Sequence, residues 1–202
     1  MRKRRRSAAG DLQLATQGAG PLLRRDYWAV IRNCRFTPAQ VAQTVRRHFP
    51  AFAPSELVVF QRHDGADGRL ELGDELEVHI LGVPRTRVRV THLGEQSFTL
   101  ATEAGHPESG RITFGSYRNR RGDVLFHIRS HARSSGRLTR MGFLATGEVM
   151  QTSTWSDFVN RVAVAFGEGV LGHIEAVTTP CAEEPEEVSR HEPTYEARGD
   201  GP

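Results

Sequence analysis

The chain has 202 residues, a mass of 22.5 kDa, 38 % hydrophobic and 25 % charged residues and a formal net charge of +3, a size suited to one compact domain with tails. Residues 1–6 hold five bases and residues 181–202 hold seven acids and two bases, so the body between them keeps +3 by itself; that near balance speaks against a basic nucleic-acid-binding domain and predicts no specific nucleic-acid partner. Two cysteines, Cys34 and Cys181, make neither a disulfide framework nor a zinc spacing, and no apolar run reaches the roughly 18–20 residues of a membrane helix, so a cytoplasmic chain without a membrane span is expected.

Residues 1–20 are basic and then rich in Gly, Ala and Gln, and residues 178–202 lead into an acidic run with Pro185 and Pro193. Neither end has periodicity, and both read as disordered tails around a single domain over residues 21–177. That domain opens with a strand-like aromatic and β-branched run from Asp26 to Arg32. Thr37 followed by Pro38 supplies an N-cap and a first-turn proline ahead of Val41, Val45 and Phe49, which predicts a helix of about three turns stopped by Pro50 and Pro54.

Beyond this helix the apolar period changes from 3.6 to 2. Leu76, Val78 and Ile80 alternate with Glu75, Glu77 and His79; after a Gly82-Val83-Pro84 bend, Val88 and Val90 alternate with Arg85, Arg87 and Arg89. Paired as a hairpin, these strands set acids against arginines on the solvent side. Phe98, Leu100 and Thr102, then Ile112 and Phe114, then Val124, Phe126 and Ile128 behind an Arg121-Gly122-Asp123 hairpin tip, complete an antiparallel meander. From Gly136 onward Leu138, Met141, Leu144, Trp155, Phe158, Val159, Val162 and Phe166 recur at helical spacing. Gly142 and Gly147 predict a kink or break in the first half. The fold class is therefore α+β of helix-grip type, a curved antiparallel sheet packed on a long C-terminal helix.

The segment Gly105-His106-Pro107-Glu108-Ser109-Gly110-Arg111-Ile112-Thr113-Phe114 resembles the bacterial and plant family known as domain of unknown function 1990. Phe126-His127-Ile128-Arg129-Ser130-His131-Ala132-Arg133 and Gly147-Glu148-Val149-Met150-Gln151-Thr152-Ser153-Thr154-Trp155 extend the resemblance. It implies a helix-grip fold like that of the Bet v 1 and START superfamily, and it implies no activity.

No Gly-rich phosphate loop, dinucleotide fingerprint, His-Glu-x-x-His or Gly-x-Ser-x-Gly elbow occurs, and no cofactor or metal is expected. His106 and Glu108 stand two residues apart beside Ser109, enough for acid–base chemistry if they converge, with Arg129 to polarise a substrate; the same residues also suit a rigid turn. His127, Arg129, His131 and Arg133 share the face opposite Phe126 and Ile128, either as an anion-binding stripe or as a solvated sheet face. Met150, Gln151, Trp155 and Phe158 lie on the last helix, where an indole and an amide would orient an apolar ligand held between helix and sheet. The leading expectation is a small hydrophobic ligand bound by Arg129, Met150, Gln151, Trp155 and Phe158. An enzyme of hydrolase or cyclase type using His106 and Glu108, and an interaction module working through the charged tails, are the alternatives.

Overall fold

The computed structural model describes residues 12–54, 56–62, 68–80 and 84–182, and the side chains of all of these except 137–150. The expected tails fall mostly outside this set, in residues 1–11 and 183–202, as do most of the Gly82-Val83-Pro84 bend and the side chains of Leu138, Met141, Leu144 and Met150. Ordered elements extend past the expected 21–177 on both sides. Leu12 bridges Glu103, a short 3-10 turn spans Ala15–Gln17, and the last strand runs to Cys181.

The first strand, β1 (Ala19–Ile31), begins seven residues before the aromatic run that announces it. Helix α1 (Pro38–Arg47) starts as its sequence dictates: the Gln40 N–H donates to Thr37 Oγ1 at 3.3 Å and the Thr37 N–H donates to Gln40 Oε1 at 2.8 Å, a reciprocal capping box. Pro50 does more than stop this helix. It sits in the first turn of a second, single-turn helix, α2 (Phe49–Phe52), where its missing N–H costs nothing.

Six strands then follow as an antiparallel meander: β2 (Val58–Arg62), β3 (Glu75–Ile80), β4 (Thr86–Leu93), β5 (Ser97–Thr102), β6 (Glu108–Arg118) and β7 (Val124–Ser134). The long helix α3 (Arg137–Phe166) runs 30 residues without the break expected at Gly142 and Gly147; tertiary contacts decide helical stability more than propensity does. A strand that the periodicity does not announce comes last, β8 (Val170–Cys181). It lies at an edge with Leu171 48 % and Val177 42 % exposed, so neither of its faces is buried enough to leave an alternating pattern. The single sheet has the order β2-β3-β4-β5-β6-β7-β1-β8, and every neighbouring pair is antiparallel.

Strand parity divides the sheet into two faces. Tyr27, Leu76, Val90, Phe98, Phe114, Phe126 and Ile128 point to the concave face, where α1, α2 and α3 pack. Phe49, wholly buried, is the hub of this core, with its ring centroid 5.0–5.6 Å from those of Phe60, Phe98, Phe114 and Phe158. Gly110 of β6 has φ +151°, and a Cβ there would stand 2.1 Å from the His131 carbonyl oxygen, so β6 and β7 approach at this point only with glycine.

Candidate functional site

At one end of the concave face the apolar lining gives way to charge. Glu108 begins β6 and projects toward α3, where the Gln151 Nε2–H donates to its Oε2 at 2.5 Å and the Arg25 Nη1–H of β1 donates to its Oε1 at 3.2 Å. Arg25 and Glu108 are both buried. Burial pushes the Glu108 carboxyl above the usual carboxylate range, against the opposing pull of Arg25 and Gln151. Among the described residues, two buried polar atoms in this cluster have no hydrogen-bond partner: Oε1 of Gln151, an acceptor, and Nε of Arg25, a donor. Such orphans are costly and call for an explanation. One turn along α3, Trp155 packs against Phe114 at 5.6 Å and Phe60 at 6.4 Å, beside the fully buried Phe158.

The turn leading into Glu108 is held from a distance. Gln13 donates through Nε2 to the carbonyls of His106 (2.7 Å) and Glu108 (2.8 Å) and accepts from the Gly105 N–H at 3.1 Å. His106 Nδ1 lies 3.1 Å from both the backbone nitrogen and the carbonyl oxygen of Glu108. Burial pushes this imidazole down to about 4. His106 thus meets the backbone of Glu108 while the carboxylate turns toward Arg25 and Gln151, and the turn reading describes the pair. Ser109 and Gly110, expected in that turn, already belong to β6.

The outer face carries a second polar network. His127, Arg129, His131 and Arg133 do lie opposite Phe126 and Ile128, but they do not form a solvated row: His127 is 2 % and Arg133 8 % exposed. Asp26 of β1, itself buried, accepts from His127 Nε2–H at 2.8 Å and Arg129 Nε–H at 2.5 Å on one oxygen, and pairs with Arg24 at 3.0 Å on the other. The Tyr117 hydroxyl donates to His127 Nδ1 at 2.9 Å and completes the chain. Burial pushes Asp26 up, yet the hydrogen bonds and charges of His127 and Arg129 outweigh it and hold the carboxyl below its usual range. Burial pushes His127 down more than Asp26 lifts it, leaving a neutral ring with each nitrogen engaged.

Arg129 is therefore on the far side of the sheet from Gln151 and Trp155, and the arrangement does not bring it together with them or with His106. Met150 lies outside the described side chains. Gln151 and Trp155 sit where the helical spacing put them, and Phe158 is core. Sequence reading missed Arg25, Asp26 and Tyr117. An Arg-Arg-Asp run in a strand is a faint signal, and the partners that give it meaning lie about a hundred residues away. The β3–β4 hairpin has the expected register, Glu75 opposite Arg89 and Glu77 opposite Arg87. Its acids and arginines are not all on the solvent side, however. Arg89 is buried between Glu75 (3.1 Å) and Glu103 (2.5 Å), because the end of β5 and the Leu12 bridge close over it. Among the described residues no group of three or more His, Cys, Asp or Glu is placed to hold a metal ion, and no helix is long and apolar enough to cross a membrane.

Among solved structures, the protein KanY is similar over 75 % of this chain and 100 % of its own, with a TM-score of 0.53 and 13 % identity. At that identity the likeness concerns the fold alone. A hypothetical protein of Helicobacter pylori aligns over 70 % of this chain and 86 % of its own with a TM-score of 0.48 and 6 % identity. Major latex-like protein 151 of Panax ginseng aligns over 73 % and 99 % with a TM-score of 0.46 and 12 % identity. No curated protein is found to be similar in sequence. Residues 37–161, more than half of the chain, match the domain of unknown function (DUF1990) family, and the chain belongs to that family.

Proposed function

We propose that the chain binds a small amphipathic molecule between the sheet and α3, its apolar part against Trp155 and Phe114 and its polar end at Arg25, Glu108 and Gln151. The observation that carries this reading is the pair of orphaned buried atoms, Gln151 Oε1 and Arg25 Nε, beside a carboxyl whose proton affinity burial has raised. A ligand group that both donates and accepts would satisfy them, and a few converging polar atoms in an apolar setting are the usual makeup of a small-molecule site. The free thiols Cys34 and Cys181 suit a reducing compartment, and we take the cytoplasm as the location.

The test is titration with dodecanamide and with 1-dodecanol, whose head groups both donate and accept, following Trp155 fluorescence in a Trp28→Phe background. Saturable binding that weakens about tenfold in Gln151→Leu, the loss of one buried hydrogen bond with its partner left unsatisfied, is expected. Failure of both probes to saturate, or binding indifferent to Gln151→Leu and Arg25→Gln, would overturn the reading.

A further inference from the structure

The polar end of the concave face holds one charge of each sign, Arg25 and Glu108, paired at 3.2 Å. Strand register surrounds this pair with uncharged groups: Ser130 of β7 and Thr178 of β8 lie on either side of Arg25, and Ser134 lies beside Glu108. Arg118 shares the parity of Glu108 but stands at the opposite end of β6. Arg24 and Asp26 face the other side of β1 and pair there. Glu103, the next acid before the turn, is engaged by Arg87 and Arg89. His106 lies against the backbone of Glu108, and burial holds its imidazole down to about 4, so it is uncharged near neutral pH. In the described part of α3, Asp157 and Arg161 pair with each other at 2.7 Å. Among the described residues the site is therefore balanced by its own ion pair.

A balanced pair has nothing left to compensate a third charge. Burial already pushes the Glu108 carboxyl above its usual range in spite of Arg25, so this end of the sheet stabilises even one negative charge less well than water does. A carboxylate head group could take the free Nε–H of Arg25, but it would set its charge against Glu108 and against the lone pairs of Gln151 Oε1. An ammonium group could donate to Gln151 Oε1, but it would set its charge against Arg25. The pair cannot swing apart to make room, because Gln13 ties the turn before Glu108 through the carbonyls of His106 and Glu108 and the N–H of Gly105. A carboxamide meets both unsatisfied atoms without bringing charge, its C=O accepting from Arg25 Nε and its N–H donating to Gln151 Oε1. Resting on the reading of this place as a ligand site, we propose that it selects an uncharged, carboxamide-type head group and excludes carboxylates and alkylammonium ions of the same chain length.

The test compares dodecanamide, dodecanoate and dodecylammonium in the full chain near neutral pH and below micelle formation, again by Trp155 fluorescence in the Trp28→Phe background. Dodecanamide saturates, and both ions bind at least about thirtyfold more weakly, the effect of a buried charge without a partner. Gln151→Lys keeps the Arg25–Glu108 pair and puts a positive charge where the amide acceptor stood. In that variant the order inverts, with dodecanoate about tenfold ahead of dodecanamide. Either ion binding the wild-type chain within about threefold of dodecanamide overturns the selectivity and leaves the ligand site standing. An unchanged order in Gln151→Lys does the same. Failure of dodecanamide to saturate overturns both the selectivity and the reading it rests on.

Discussion

On the concave face, Phe98, Phe114 and Phe158 interlock around the buried ring of Phe49, and the ion pair of Arg25 with Glu108 stands beside Gln151 at one end. On the outer face buried Asp26 and His127 are joined to each other and to Arg129 by hydrogen bonds and charge. Both faces exclude water, but by different physics. Apolar contacts are non-directional and tolerate neighbours of similar shape, whereas a buried charge is tolerable only where a partner is at the correct distance. The proposed ligand would meet the concave face as another apolar surface with a few polar atoms to satisfy, while the outer face is organised by charge.

The largest effect expected from breaking this contrast is on the concave side. Phe49→Ala should cost about 4 kcal/mol in urea denaturation, from lost transfer energy and the cavity left among four other rings. The cost should change little with salt. A loss below about 1 kcal/mol would mean that the core closes around the deletion and that Phe49 is not its hub.

On the outer face, Asp26→Asn keeps the shape of the side chain and removes its charge, leaving Arg24 and Arg129 facing a neutral amide. We expect a loss of about 3 kcal/mol. A variant as stable as the parent would show that the Asp26 network contributes nothing net to folding.

The smallest effect is a pH dependence carried by the turn between the two faces. His106 titrates near 4 in the folded chain and about 6.5 when unfolded, so the unfolded state binds the extra proton first. Stability is therefore complete above the unfolded value and is lost as pH falls, by about 2 kcal/mol between about pH 8 and pH 5 from this group. His127, also depressed, acts in the same direction. Glu108, raised, acts oppositely, losing stability as pH rises above its unfolded value. His106→Asn keeps an acceptor for the Glu108 N–H and does not titrate. The difference between its denaturation profile and the parent's should isolate the His106 contribution, and parallel profiles would contradict the assignment of a depressed imidazole.

Much of the architecture was legible in the chain because it rests on local periodicity. Thr37-Pro38 marked the start of α1, the alternation from Leu76 to Ile128 marked five strands, and Trp155 to Phe166 marked the half of α3 that faces the core. The edge strands β2 and β8 escaped: β2 is short, and β8 is exposed enough to carry no alternation. The candidate site was half legible. Gln151 and Trp155 stood out on a helical face, and Glu108 stood out for its neighbour His106, but its actual partner Arg25 lies 83 residues away. No spacing rule reaches that far.

By itself the sequence determined which residues turn inward within each element, since that is set by a period of 2 or 3.6 and a few capping residues. Only the tertiary structure decided which strands are neighbours, and with that which charges meet. Placing β1 beside β7 is what gives Asp26 its His127 and Arg129. Pairing between segments a hundred residues apart depends on the closure of the whole sheet, and no local pattern encodes it.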